Sequence, residues 1–142
     1  MATIISHSVD ETVALGRSVA STLRRGDVLA LCGDLGAGKT HFVKGLAAGL
    51  GCGGIVTSPT FTLIHEYAGG RLPLFQFDFY RLEDETEALK IGLDEYLEGE
   101  GVCAIEWAEK FPALLPGVTR WFRFTHAAGD ARKIEEIPAP SA

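Results

Sequence analysis

The residues with the clearest chemistry lie in one run, Gly33-Asp34-Leu35-Gly36-Ala37-Gly38-Lys39-Thr40, which fits the pattern G-x-x-x-x-G-K-[ST] in full. Each part has a task on a polyphosphate. Glycines let backbone N–H groups turn inward and form a nest for phosphate oxygens. A helix opening near Lys39 presents unpaired amides and the positive end of its dipole to the same anion. Lys39 adds a mobile cation for the outer phosphates, and Thr40 offers its hydroxyl to magnesium. The bland alternative is a chance glycine-rich turn, and the placement of the run between a strand pattern and a helix pattern speaks against it.

Phosphoryl chemistry on such a loop needs a second acid for the magnesium ion. Glu106 follows the apolar run Val102-Cys103-Ala104-Ile105, and Asp78 follows Leu74-Phe75-Gln76-Phe77. Both acids emerge where an apolar strand finishes, the edge at which ligands of α/β sheets collect, although either could be a solvated strand end. Trp107 could stack on a ligand or fill the core. Thr57-Ser58-Pro59-Thr60 reads either as a polar switch-like loop near a γ-phosphate or as a plain turn. His41, His65 and His126 lack metal-ligand spacing and read as structural or surface residues, His41 also standing at the edge of the nucleotide loop. No N-K-x-D or T-K-x-D segment occurs, which favours ATP over GTP. The acidic, arginine-poor stretch between Tyr80 and Val102 is unlike the arginine-rich lid of a small-metabolite kinase.

The elements that must hold these groups follow from the hydrophobic pattern. A short strand is expected over 3–7, and Ser8-Val9-Asp10-Glu11 has the form of a capping box. Val13, Leu15, Val19, Ala20 and Leu23 recur at helical spacing, with Gly26 as the stop. Residues 27–32 are nearly all apolar, as a strand covered on both faces should be. After the loop a helix runs to Leu50 and Gly51 ends it. A turn at Ser58-Pro59 leads to a strand over 60–67, Gly69-Gly70 signals a hairpin, and a strand returns over 72–79. Residues 82–97 read as helical with a break at Gly92, and 102–107 as a short apolar strand. Pro112 and Pro116 bound a short helix or loop, and 121–125 and 134–137 pair around Gly129. This order predicts a single-domain α/β fold of P-loop NTPase type, a mixed sheet flanked by helices.

At 142 residues, 46% hydrophobic and 23% charged, the chain has the size and balance of one domain, assigned to residues 1–137 with a loose tail over 138–142. A net charge of -6, with Arg24-Arg25 and Arg132-Lys133 as the only adjacent basic pairs, disfavours direct, autonomous binding to nucleic acid. Cys32, Cys52 and Cys103 form no C-x-x-C pair and suit a reducing compartment. No apolar run reaches 18 residues and no basic-then-apolar segment opens the chain, so a cytoplasmic protein without membrane contact is expected.

Four segments together carry a family resemblance: G-D-L-G-A-G-K-T at 33–40, S-P-T-F at 58–61, D-F-Y-R-L at 78–82 and I-E-W at 105–107. In this order and spacing the chain resembles the TsaE family, small ATPases of the bacterial tRNA threonylcarbamoyladenosine pathway. The resemblance implies that Lys39 contacts the β- and γ-phosphates of ATP and that Thr40 and Glu106 hold Mg2+. It implies that Asp78 orients water or metal near the γ-phosphate and that Trp107 is functional. It further implies that Arg132 closes over the nucleotide and that the base rests in the region of Glu11. TsaB and TsaD are the implied partners, TsaD transferring the threonylcarbamoyl group to adenosine 37 of ANN-decoding tRNAs, with tRNA met only through the complex.

Two positions depart from that family's pattern. Gln76 stands where the family commonly has histidine, and a neutral amide cannot titrate near pH 7, so no proton-transfer role is expected there. His41 stands where threonine or serine usually follows the loop, while Thr40, the metal-binding position, is kept. Two other functions fit the same residues: a nucleotide-gated assembly module without required hydrolysis, and a small-metabolite kinase.

Overall fold

The computed structural model describes residues 3–57 and 64–140. In chain order these form β1 (Thr3–Ser6), α1 (Val9–Ala20), β2 (Val28–Gly33), α2 (Lys39–Leu50), β3 (Ile55–Thr57), β4 (Ile64–Tyr67) and β5 (Leu74–Asp78). There follow α3 (Glu85–Lys90), α4 (Leu93–Leu97), β6 (Val102–Glu106), two 3-10 turns at Ala108–Lys110 and Pro112–Leu114, β7 (Arg120–His126) and β8 (Arg132–Ile137). The eight described strands make one sheet in the order β1-β8-β7-β2-β6-β5-β4-β3. β7, β2, β6 and β5 run parallel, and antiparallel strands flank them on both sides. The fold is the mixed α/β sheet that the sequence predicts.

β2 shows why this sheet needs cover on both faces. Leu29 and Leu31 pack with Phe42, Leu46, Phe122 and Phe124 on the α1–α2 side, whereas Val28, Ala30 and Cys32 pack with Leu82, Leu93, Ala108 and Trp121 on the other. The side-chain period of two thus loads two cores from one apolar run. Cys32 and Cys103 lie in that interior; burial, joined by nearby Glu109 at Cys32, holds their thiols up at about 11 and about 12. Both therefore stay protonated at neutral pH and act as small hydrophobes.

α1 and α2 touch through glycine. A Cβ at Gly16 would lie 2.2 Å from the Phe42 carbonyl oxygen, and one at Gly45 would lie 2.1 Å from that of Val13. Only backbones this close let α1 brace the helix that carries Lys39 and Thr40.

Several local details differ from the sequence expectation. α1 ends at Ala20, not at Gly26, because the Ser21 and Thr22 hydroxyls turn back to the carbonyls of Ser18 and Val19 and break the helical ladder. The capping box forms at Ser8, whose hydroxyl accepts from Glu11 N–H at 3.1 Å, but the Glu11 carboxylate accepts from His7 N–H at 2.9 Å. β3 was passed over by the pattern, being three residues long. The strand expected over 60–67 is described only from Ile64, and Ser58-Pro59-Thr60-Phe61 lies outside the described residues. Gly92, with φ +85, does separate α3 from α4, and Gly129 sits in the turn of the β7–β8 hairpin. Among the described residues no helix is long and apolar enough to cross a membrane.

Candidate active site

β2 sits where the strand order reverses, with β6 on one side and β7 on the other, the point at which open α/β sheets gather ligands. The glycine loop leaves β2 at this point and turns into α2. Gly33 has φ +112, and a Cβ there would meet the Phe124 carbonyl oxygen at 2.0 Å, so no side chain fits. Asp34 N–H donates to that same oxygen at 2.8 Å, and the Asp34 carboxylate accepts from His126 N–H at 3.1 Å. His126 Nε2 lies 3.0 Å from the Leu35 carbonyl, and Arg132 Nε donates to the Gly36 carbonyl at 3.4 Å. The β7–β8 hairpin therefore holds the loop from outside. From the other flank Glu109 accepts from Gly33 N–H at 2.9 Å.

Lys39 is only 4% exposed. Its Nζ donates to the Gly33 and Asp34 carbonyls, each at 2.9 Å, and lies 4.0 Å from the centre of the Trp107 ring. Burial pulls its ammonium below the usual lysine value, opposed by the charges of Glu109 and Glu106. The lysine is thus folded onto its own loop, with an acid on each side.

Glu106 ends β6 as a buried carboxylate. Thr40 Oγ1 lies 3.2 and 3.3 Å from its two oxygens, and Gln76 Nε2 donates to it at 2.5 Å. Tyr67 Oη in turn donates to Gln76 Oε1 at 2.9 Å, which makes a relay from β4 through β5 to β6. Burial pushes the Glu106 carboxyl above the usual glutamate value, the Gln76 hydrogen bond opposes this, and Asp78 adds to it. Asp78 is opposite Glu106 in the parallel β5–β6 register, on strands about 4.8 Å apart. Asp78 itself is exposed and accepts from Tyr80 N–H at 2.9 Å.

Trp107 follows Glu106 with φ +59, the one non-glycine residue with positive φ among those described. Its ring centroid is 4.9 Å from that of Tyr80. A bulky side chain in this conformation is a site of backbone strain. The strained turn aims the indole at the loop lysine while β6 ends on the acid.

Thr40, Asp78, Tyr80, Glu106 and Trp107 line an open cleft of about 330 Å³ together with the glycine loop and His41. A second hollow of about 320 Å³ adjoins it at Gly36, Gly38 and His41 and is walled by Ser8, Thr12, Asp130 and Arg132. Arg132 thus lies beside the loop tip. Glu11 belongs to the α1 cap next to this hollow and does not line it.

The donor set fits a hard cation shared with phosphate. Thr40 and Glu106 offer oxygen, and no group of three or more His, Cys, Asp or Glu among the described residues forms a protein cage. Mg2+ is held in this way, by one or two protein oxygens completed by phosphate and water. The inward-turned loop with Lys39 at the start of α2 fits the phosphates of a nucleotide.

Glu109, His126 and Tyr67 were missed as site residues. Glu109 carried a usable signal, an acid three residues beyond Glu106 at the same sheet edge. His126 and Tyr67 carried none, since they reach the site only through strand pairing.

A family model described as threonylcarbamoyl adenosine biosynthesis protein TsaE matches residues 6–134. A protein of Bacillus subtilis named tRNA threonylcarbamoyladenosine biosynthesis protein TsaE is 51% identical over 125 residues, covering 88% of this chain and 78% of its own. A protein of the same name from Treponema pallidum is 47% identical over 115 residues, covering 81% and 84% respectively. A crystal structure of Bacillus subtilis YdiB is similar at a TM-score of 0.80 and 40% identity, covering 98% of this chain and 86% of that one.

Proposed function

Because the chain belongs to the TsaE family, we propose that it is a Mg2+-dependent ATPase that serves threonylcarbamoyladenosine formation at adenosine 37 of ANN-decoding tRNAs, working with TsaB and TsaD in the cytoplasm. The observation that carries this reading is the pairing of a complete phosphate loop with a buried acid: the Thr40 hydroxyl and the Glu106 carboxylate face each other across the end of β6.

In this reading the loop amides and Lys39 hold the β- and γ-phosphates of ATP, and Lys39 leaves the Gly33 and Asp34 carbonyls to do so. When bound between Thr40 and Glu106, Mg2+ supplies charge neutralisation to the phosphate oxygens. Gln76 keeps the Glu106 carboxylate turned toward Thr40. Asp78, exposed at the cleft, orients the attacking water. Tyr80 and Trp107 form the apolar wall that limits water to that position. Arg132, held on the Gly36 carbonyl, closes over the nucleotide from the adjoining hollow, and the base rests near the Glu11 end of α1. With net charge -6 the protein meets tRNA through its partners.

One observation favours slow hydrolysis by the isolated chain. Among the described residues Lys39 is the only lysine or arginine lining the main cleft. Transition-state charge in this chemistry is commonly met by a further arginine, which a partner can supply. The same observation suits a nucleotide-gated assembly module, and Asp78→Ala separates the two: loss of hydrolysis with tRNA modification intact supports the module.

The test is ATP hydrolysis by the purified chain, alone and with TsaB and TsaD, for wild type, Lys39→Ala and Glu106→Ala. A strong rise with the partners and loss in both variants is the expected result. Hydrolysis that persists without Lys39 would refute it.

A further inference from the structure

Beside Asp78 and Glu106 lies a third hollow, of about 250 Å³, to which the reading above gives no role. It shares Thr40, Asp78 and Glu106 with the main cleft, and its far walls are Lys44, His65, Tyr67 and Gln76. The periodicities of the fold bring these residues together. Lys44 stands one helical turn after Thr40 on α2, and His65 and Tyr67 share one face of β4. His65 and Gln76 are direct partners across β4 and β5.

The far walls hold polar atoms with hydrogen-bonding capacity to spare. Lys44 is exposed and forms no salt bridge among the described residues. His65 Nδ1 is shielded from solvent and has no hydrogen-bond partner among the described residues. Buried polar atoms are rarely left in that state. Gln76 Nε2 donates one proton to Glu106 and keeps a second. The main cleft differs: its rim holds Leu35, Tyr80 and Trp107, and Lys39, the one lysine or arginine lining it among the described residues, is assigned above to the nucleotide.

Resting on the ATPase reading above, we propose that this hollow is an oxyanion subsite that receives the orthophosphate cut from ATP, with Lys44 and His65 as its donors. ADP keeps its hold on the loop and Lys39, while the phosphate passes the Thr40–Glu106 pair and leaves on the opposite side. Product release thereby gains a route separate from the nucleotide mouth.

The experiment is a titration of inorganic phosphate into the protein with Mg2+, with and without saturating ADP, followed by calorimetry or phosphorus NMR. Wild type is compared with Lys44→Ala, His65→Asn and, as a control on a lysine outside the hollow, Lys133→Ala. Phosphate should bind in the presence of ADP, and Lys44→Ala and His65→Asn should each weaken it about tenfold, the size expected for a lost hydrogen bond to a charged group. Lys133→Ala should leave it unchanged, and ADP affinity should stay within about twofold in all three variants. Unfolding curves check that each variant is folded. Phosphate that ADP displaces, or that binds Lys44→Ala and His65→Asn as tightly as wild type, overturns the subsite. A weakened affinity with an unaltered phosphate-release rate after a single turnover overturns its assignment to the reaction product. Absence of ATP hydrolysis bears on the ATPase reading alone, because the titration uses phosphate added from outside.

Discussion

The ammonium group of Lys39 lies 4.0 Å from the centre of the Trp107 ring, on a lysine that also binds two carbonyls of its own loop. Phosphates compete for that ammonium, so nucleotide binding must change the surroundings of the indole. The chain has two tryptophans, and the other, Trp121, is 3% exposed in the core. Adding ADP or ATP with Mg2+ is expected to change tryptophan emission, and Trp107→Phe should abolish the change. An unaltered response in that variant would mean that the signal comes from Trp121 and does not report on the Lys39–Trp107 contact.

Glu106→Gln should raise thermal stability at pH 7 when Mg2+ is absent. Burial raises the folded-state pKa of Glu106 above its unfolded value of 4.5. The charged carboxylate therefore costs stability above the folded pKa, and the cost vanishes as pH falls below the unfolded pKa. The advantage of the glutamine variant should shrink on acidification toward pH 4.5. A stability difference that is flat or grows on acidification would contradict the assignment.

Gln76→Leu removes both ends of the relay, leaving Tyr67 Oη without its acceptor and the Glu106 carboxylate with Thr40 Oγ1 alone. Urea unfolding should show a loss of about 1–3 kcal/mol, the usual cost of an orphaned buried polar group. Mg2+ should also be needed at higher concentration for tight nucleotide binding, since Glu106 loses its orientation. Equal Mg2+ dependence in both proteins would leave Gln76 a packing role only.

Asp34→Ala cuts the tie between the loop and His126 N–H. Nucleotide affinity should fall by roughly fivefold, about 1 kcal/mol, with little change in global stability, as measured by titration and by unfolding.

Gly45→Ala places a methyl group 2.1 Å from the Val13 carbonyl oxygen, so α1 and α2 must separate. The expected loss is about 1–3 kcal/mol in urea unfolding, with nucleotide affinity weakened because α2 carries Lys39 and Thr40. A neutral substitution would show that the helices can slide apart freely.

The parts of this site that were legible in the sequence are those fixed by neighbours along the chain. The loop, the helix after it and its stop at Gly51 are local events of turn and cap chemistry. Asp78 and Glu106 could be chosen because an apolar run ends at each, and β5–β6 pairing does set them side by side. The contacts that shape the loop were not legible. Glu109 to Gly33, His126 to Asp34 and Arg132 to Gly36 join residues 76, 92 and 96 positions apart. No local spacing encodes such contacts, which follow from strand order. The early end of α1 was missed for a different reason: Ser21 and Thr22 compete with the helix through their hydroxyls, and an apolar repeat cannot report that.

The outer support of the loop has a consequence during protein synthesis. A ribosome that has made the chain through β6 has already delivered the loop, Lys39, Thr40, Asp78 and Glu106. The nascent protein still lacks Phe124, His126 and Arg132, which hold the loop in shape from β7 and β8. β1, made first, waits for the same late strand, since Thr3 pairs with Glu135. Pairings of such separation form slowly and late. On the ATPase reading proposed above, the nucleotide is therefore gripped firmly only once residues 124–132 have joined the fold, and a stalled or clipped product carries the motif without the grip.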